Sequence, residues 1–320
     1  MSATDLIPDG VAAPERPPAA EGASRRAGAR RKRRDHLLFL AFAAPNMLLL
    51  LLFAYWPVVY NAYLSFTDWD MISATKGFVG LGNYTDLLGD PDFRTTLWTT
   101  VLFVVGIVAG GMLLGLLTAL LLNQRLRGRS AVRTLVFAPY VLSGAAVGTL
   151  WLFIFDPNYG LIHPLLAPIG LAAPAMMTDS HWALSGLVLV YLWKNIGFVA
   201  VVYLAGLQGL PKEVYEAAAL DGAGAWRRLT RITLPLLSPV TFFLLVTSVI
   251  STFQAFDVIA VMTGGGPGTS TSILSWFIYD QGFRAFDAGR ASAAAMIMFV
   301  VLLLMTAVQA RFLERKVHYQ

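Results

Sequence analysis

Glu216-Ala217-Ala218-Ala219-Leu220-Asp221-Gly222, followed ten residues later by Ile232-Thr233-Leu234-Pro235, is the stretch that decides how this chain is read. It lies in a polar, charged island of about thirty residues, 207–237, between two long apolar runs. Leu210-Pro211-Lys212-Glu213 starts a helix well. Proline at the first helical position forfeits no useful N–H, and Glu213 suits the positive end of the helix. The run Val214–Leu220 continues it, and Gly222 can take the left-handed conformation that ends a helix. The pattern predicts a second short helix over about Ala225–Thr233, with Pro235 and Pro239 as punctuation beyond it. Two short helices joined by a glycine turn make a rigid peg, and a rigid peg can transmit force. Ala217 and Ala218 are small enough for a partner surface to come close, and Glu216 offers it a carboxylate for an Arg or Lys.

The flanking runs belong to a membrane. Of 320 residues, 57% are hydrophobic and only 13% charged, about half the charged share of a soluble domain. Six spans are predicted, at about 37–62, 97–123, 133–155, 184–206, 238–262 and 289–310. Each is long enough to cross a hydrocarbon core of about 30 Å at about 1.5 Å per residue. In lipid every backbone polar group must be satisfied internally, so the expected fold is all-α. Lys and Arg set the orientation. With the N-terminus inside, cytoplasmic segments hold nineteen basic residues, among them Arg125, Arg127, Arg129 and Arg133. The outside segments hold three, Lys76, Arg94 and Arg284. This is a strong positive-inside signal, and it puts both termini in the cytoplasm.

The expected organisation is a disordered basic cytoplasmic segment, 1–36, one membrane domain, 37–310, and a cytoplasmic tail, 311–320. Beside a span, the run Arg30–Arg34 reads as an anchor to anionic lipid heads rather than a nucleic-acid patch. Tyr55, Trp56, Tyr60 and Tyr63 look like an aromatic belt at the outer interface. Outer segments carry a glycine-punctuated turn at Phe78–Tyr84, a short interfacial helix and Pro-bearing loop within 156–183, and the Gly-rich Thr263–Gly268. There is no cysteine, so no disulfide or thiolate metal site. No G-x-x-x-x-G-K phosphate loop, nucleophile elbow or metal-ligand constellation stands out, and the four histidines are scattered. No enzyme reaction and no cofactor held by this chain are expected.

Glu-Ala-Ala, three residues, Gly, nine residues, Ile-x-Leu-Pro closely resembles the coupling loop of ABC importer permeases. Further residues are similar to the first membrane subunit of the glycerol-3-phosphate and glycerophosphodiester importers. They are Phe78–Tyr84, Trp98-Thr99-Thr100, Pro139-Tyr140, Pro239–Val246 and the tail Arg311–Gln320. The resemblance implies a type I importer permease in the cell membrane, with six transmembrane helices and a cytoplasmic helix-turn-helix coupling loop. It implies ATPase-docking positions at Glu216, Ala217, Ala218, Asp221 and Gly222. It implies partners: a second permease subunit, two ATPase subunits that bind the ATP and Mg, and an extracytoplasmic binding protein. The implied cargo is a glycerophosphodiester such as glycerophosphocholine, or glycerol-3-phosphate. A neutral oligosaccharide such as a disaccharide is the alternative, because related sugar permeases share most of these features. An ion-coupled secondary transporter would show inverted repeats and Gly/Pro-broken spans in matched positions. Neither is visible in the sequence, and that reading leaves Glu216–Pro235 unexplained.

Candidate substrate residues come from ionisable and polar groups inside spans. Lys194 lies about 15 Å into span four, near the midplane, and Tyr191, Lys194 and Asn195 share a face. Two readings stand: Lys194 meets an anionic cargo in a cavity, or it is structural and paired with a carboxylate or free carbonyls. Span five supplies Ser251, Thr252, Gln254 and Asp257, a part of the helix that the resemblance to sugar importers places at the substrate site. Asp257 snorkels, pairs with Lys194, or meets a cationic cargo group. Phe253 and Phe256 read as packing residues.

Overall fold

A computed structural model gives the fold over residues 38–124, 128–166, 168 and 174–313. The expected basic segment 1–36, Arg125 and Arg127, part of the 156–183 loop, and residues 314–320 lie outside that range. In chain order the elements are α1 (Leu38–Leu64), strands β1 (Thr67–Asp68) and β2 (Gly77–Phe78), α2 (Gly82–Gly89), α3 (Pro91–Leu122), α4 (Arg129–Val141), α5 (Gly144–Ile154), α6 (Ile162–Leu166) and α7 (Ser180–Gln208). They continue with α8 (Lys212–Leu220), α9 (Ala225–Arg228), α10 (Leu234–Leu236), α11 (Ser238–Phe253), α12 (Asp257–Met262), α13 (Leu274–Tyr279) and α14 (Ala288–Leu313). Among the described residues, five stretches are helical, long and apolar enough to cross a membrane, or six if the bent pair α4–α5 counts as one.

The chain divides into two units, one ending at Tyr60 and one beginning at Asn61. In the first, α1 opens to π geometry over Leu51–Tyr55, immediately before Trp56-Pro57. The second repeats the device at Leu229–Thr233, immediately before Leu234-Pro235. In each, the residue before the proline donates its N–H five residues back, Trp56 to Leu51 and Leu234 to Leu229. A proline ring inside an α-helix collides with the carbonyl four residues back, and the wider turn relieves that clash.

In the second unit, α3 is the central element. It begins at Asp90, whose carboxylate accepts the Asp92 N–H at 2.9 Å, with Pro91 in the first turn. Its buried positions supply all four apolar clusters. Phe93 meets Leu274 and Phe277, while Phe103 and Ile107 meet Val190 and Ile259. Val104 and Val108 meet Val249 and Phe253, and Ala119 and Leu122 meet Leu204 and Leu237. A glycine ladder sets α3 against α7. A methyl group added at Gly106 would stand 3.3 Å from Val188, one at Gly110 3.0 Å from Leu192, and one at Gly115 hard against Val199. Small residues let membrane helices approach closely, and dispersion then supplies the attraction that water cannot.

Two expected spans are interrupted. The predicted span 133–155 is the pair α4–α5, bent by 100°. Pro139 lies inside α4, Leu142 and Ser143 are extended, and the Ser143 hydroxyl caps α5 by accepting the Ala146 N–H at 3.3 Å. At about 1.5 Å per residue neither piece alone crosses a core of about 30 Å. The predicted span 238–262 is interrupted after Gln254, where α11 stops and α12 restarts at Asp257. The carbonyl of Ala255 freed there accepts the Ser275 hydroxyl. Irregular backbone survives at this depth only when such partners satisfy it. Both spans were expected as continuous runs; the bend at Pro139–Gly144 is a Gly/Pro break, and the one after Gln254 carries neither residue.

The expected turn at Phe78–Tyr84 forms as a two-residue antiparallel ladder, Thr67 against Phe78 and Asp68 against Gly77, followed by α2. Buried Asn83 staples it, donating to the Ser65 and Thr67 carbonyls at 3.0 and 2.9 Å. Arg290, at the start of α14, pairs with Asp90 at 2.7 Å and ties α14 to the start of α3.

Candidate functional site

The predicted helix-turn-helix of 207–237 is present. Gly222 has φ +69°. Its N–H bonds the Ala219 carbonyl at 3.1 Å, and the Ala223 N–H bonds the Ala218 carbonyl at 2.9 Å. These two bonds close α8 with a left-handed glycine in a Schellman turn. The second helix begins at Ala225 as expected but runs as α9 into the π turn rather than as one α-helix to Thr233. The Tyr215 hydroxyl lies 2.9 Å from the Thr233 hydroxyl, which fixes α8 to that turn. Glu216, Ala217, Asp221 and Gly222 are exposed, whereas Ala218 is buried against its own fold. Of the two small residues, only Ala217 presents itself outward. Leu220 and Trp226, 90% and 76% exposed, add large apolar side chains that sequence reasoning passed over. At the root of the peg lies a 530 Å³ groove between Leu120, Asn123, Leu207, Lys212, Tyr215 and Glu216.

Asn195 from α7 and Ser251 and Thr252 from α11 converge on one 150 Å³ cavity within the spans. Asn195 spends its amide N–H on the Tyr191 carbonyl at 2.8 Å, the bond one turn back that its spacing permits. Ile107 and Gly111 of α3, Leu192, Phe198 and Val199 of α7, and Tyr140 of α4 complete the walls. Thr247 and Ser248 also line it and were missed. The signal for them was a polar stripe at i, i+3 and i+4, Thr247, Ser248, Ser251 and Thr252, on an otherwise apolar helix. Tyr140 stacks on Phe198 with ring centroids 4.8 Å apart.

The remaining candidates stand around this cavity rather than in its wall. Lys194 is half-buried, its Nζ 5.8 Å from the centroid of the Tyr140 ring, and among the described residues it has no ion pair. Tyr191 is buried and donates its hydroxyl to Asp257 Oδ1 at 3.2 Å. Asp257 also accepts the Val258 N–H at 2.9 Å at the start of α12, and its carboxylate rests on Gly144 at the start of α5. The expected alternative, Asp257 paired with Lys194, does not form. Asp257 instead pins the restart of one broken span to the bend of the other. Only glycine fits at position 144, because a Cβ there would occupy the place of that carboxylate. Gln254 is exposed at the break and outside the cavity wall. Phe253 and Phe256 pack, as expected: Phe253 in the cluster with Val104, and Phe256 stacked on Trp276 at 5.9 Å.

Residues 111–319 match the family described as binding-protein-dependent transport system inner membrane component. The sn-glycerol-3-phosphate transport system permease protein UgpA of Brucella abortus is 38% identical over 277 residues, covering 86% of this chain and 94% of that protein. The protein of the same name from Agrobacterium fabrum is 36% identical over 286 residues, covering 89% of this chain and 97% of that protein. A probable ABC transporter permease of Pyrococcus horikoshii is 35% identical, covering 85% of this chain and 94% of that protein. Among solved structures, a bacterial ABC transporter involved in the import of the acidic polysaccharide alginate superposes with a TM-score of 0.77 at 27% identity. That match covers 89% of this chain and 98% of that chain. The same alginate transporter in complex with a pentasaccharide-bound periplasmic protein gives 0.77 at 26% identity, covering 89% of this chain and 96% of that chain.

Proposed function

This chain belongs to the family of binding-protein-dependent transport system inner membrane components, and from that membership we propose that its cargo is glycerol-3-phosphate or a glycerophosphodiester such as glycerophosphocholine. It is a multi-pass permease subunit of an ABC importer. The cargo reading is carried by the 38% identity that spans 94% of a relative named for sn-glycerol-3-phosphate transport. Lys194 supports it: a half-buried cation without an ion pair among the described residues, beside a cavity within the spans that carries a few hydroxyl and amide groups, suits a cargo with an anionic group.

In this reading the chain supplies half of the pathway and a second permease subunit supplies the rest. An extracytoplasmic binding protein delivers the cargo. Two ATPase subunits hold the ATP and Mg, and the peg of Glu216, Ala217, Ala218, Asp221 and Gly222 seats in one of them. Closure of the ATPase pair then pulls on α8, and through the Tyr215–Thr233 bond on α10 and α11, which carry Thr247, Ser248, Ser251 and Thr252 at the cavity. The distribution of basic residues supports a cytoplasmic side for both termini, the segment 1–36 and the tail 311–320. Uptake of labelled glycerol-3-phosphate and glycerophosphocholine by the complete importer in proteoliposomes tests the cargo. ATP-dependent uptake of either supports it, and uptake confined to a neutral disaccharide refutes it.

A further inference from the structure

A second cation lies on the pathway face of α4. Arg133 was counted among the residues of a cytoplasmic segment, but α4 begins at Arg129, so Arg133 is in its second turn. Its Nε and Nη2 are shut off from solvent, and neither has a hydrogen-bond partner among the described residues. No ion pair forms there either. Guanidinium nitrogens shut off from water without a partner are unfavourable until an anion meets them.

Its position says which anion. Arg133 and Tyr140 are seven residues apart, two turns along one face, with Phe137 between them and its ring 5.5 Å from that of Tyr140. Tyr140 walls the cavity within the spans and carries Lys194 over its ring. Arg133 therefore lies about 10 Å along α4 from the cavity, toward the end of α4 that joins the basic loop. The apolar groove beside α4, formed by Val132, Leu135, Val136 and Pro139 with Trp193 and Ile196, borders Arg133 at Val136, but Arg133 does not line it.

We propose that Arg133 is a second anion-holding residue, which takes the phosphate of the cargo as it leaves the cavity for the cytoplasm. It rests on the reading of a phosphate-bearing cargo. Conduction needs binding strong enough to admit the cargo and divided among sites so that it can leave. Lys194, held over the Tyr140 ring, and Arg133, two turns along α4 from Tyr140, divide it. Arg also offers the paired N–H donors that suit phosphate oxygens.

The test is Arg133→Gln and Arg133→Lys in the complete importer with its binding protein, in proteoliposomes, reading glycerol-3-phosphate imported per ATP hydrolysed. Co-purification of the second permease and the ATPase reports assembly. A charged hydrogen bond lost on the path predicts that the ratio falls about tenfold or more in Arg133→Gln and recovers largely in Arg133→Lys. An unchanged ratio in a well-assembled Arg133→Gln complex overturns the proposal. Loss of assembly in Arg133→Gln, restored by Arg133→Lys with a wild-type ratio in whatever Arg133→Gln complex forms, also overturns it and makes Arg133 a counter-ion to the second permease. Native mass spectrometry adds an arm: a phospholipid held by the wild type and absent from Arg133→Gln, with the import ratio intact, would make it a lipid site. If the wild-type importer moves no phosphate-bearing compound, the cargo reading itself has failed.

Discussion

Replacing Gly222 separates backbone strain from side-chain bulk at the coupling turn. The residue sits at φ +69°, where L-residues other than Gly and Asn are strained by roughly 1–2 kcal/mol, β-branched ones at the upper end. No heavy atom lies within 4 Å of a Cβ built there, so within this chain the conformational cost is the whole effect. Helix α8 has nine residues, too few to hold its shape unaided, and it depends on the two bonds that Gly222 and Ala223 make at its end. A cost of about 1.5 kcal/mol lowers the closed form of the turn about tenfold relative to the open one. Gly222→Val is expected to depress binding-protein-stimulated ATP hydrolysis and uptake together by up to about tenfold, while membrane insertion survives. Gly222→Asn, similar in volume but tolerant of the left-handed region, should stay within about twofold of wild type. Both rates are measured on the reconstituted importer. Equal losses for Asn and Val would show that bulk against the ATPase matters, not backbone conformation. Wild-type rates for Val would remove any coupling role from this turn.

Topology is checked by single cysteines in a chain that has none. With an impermeant thiol reagent on intact cells, Phe283→Cys (66% exposed) should label, and Leu220→Cys (90% exposed) only after the membrane is opened. The reverse result overturns the orientation. Lys194→Met should cut uptake of a phosphate-bearing cargo at least about tenfold with the complex still assembled, and Lys194→Arg should keep most of it. A well-expressed, fully active Lys194→Met would sink the anion site in this subunit. At Asp90, burial pushes the carboxyl up, but hydrogen bonds from the Asp92 amide and Arg290, with the Arg290 charge, hold it below its ordinary 3.8. A depressed carboxyl stabilises above its unfolded value and loses that as pH falls through the folded one. Thermal unfolding of wild type should therefore lose stability below about pH 3.8 by a margin that Asp90→Asn lacks, and equal acid sensitivity in both would deny the pair that role.

The parts legible from sequence were those where one signal dominates. The lengths of α3, α7 and α14 follow from unbroken apolar runs. The coupling turn follows from Pro211 and Gly222, which admit few backbone conformations. The breaks were hidden because hydropathy is indifferent to backbone direction. Pro139 with Ser143-Gly144 carried a helix-stop and helix-start signal inside a continuous apolar stretch, and the apolar count overrode it. After Gln254 there was not even a proline: the interruption depends on Ser275, twenty residues on, and on Asp257 finding Tyr191, and no local pattern reports either. Arg133 was assigned to a loop because the span was bounded by hydropathy, whereas the helix starts four residues earlier, behind Gly128 at φ +77°. Asn195 was found from helical spacing, and Ser251 and Thr252 as polar groups in a span the resemblance places at the substrate site, but neither signal could show that Tyr140, beside a 100° bend, would complete the same wall.

The glycine ladder between α3 and α7 restricts how this subunit can change shape. Val188, Leu192 and Val199 each rest over a position without a side chain, at Gly106, Gly110 and Gly115. Were one helix to slide past the other by a turn, about 5.4 Å, Leu192 would arrive at Leu114 and Val199 at Ala119, where the gaps are filled. A slide in that direction is opposed at both places, which favours α3 and α7 travelling together as a strut. A change of access is more easily taken up at the two interrupted spans, which meet at Asp257 and Gly144 beside the strut. The joint of the machine is thus the place where a carboxylate lies on a glycine, and the strut gives it something stiff to turn against.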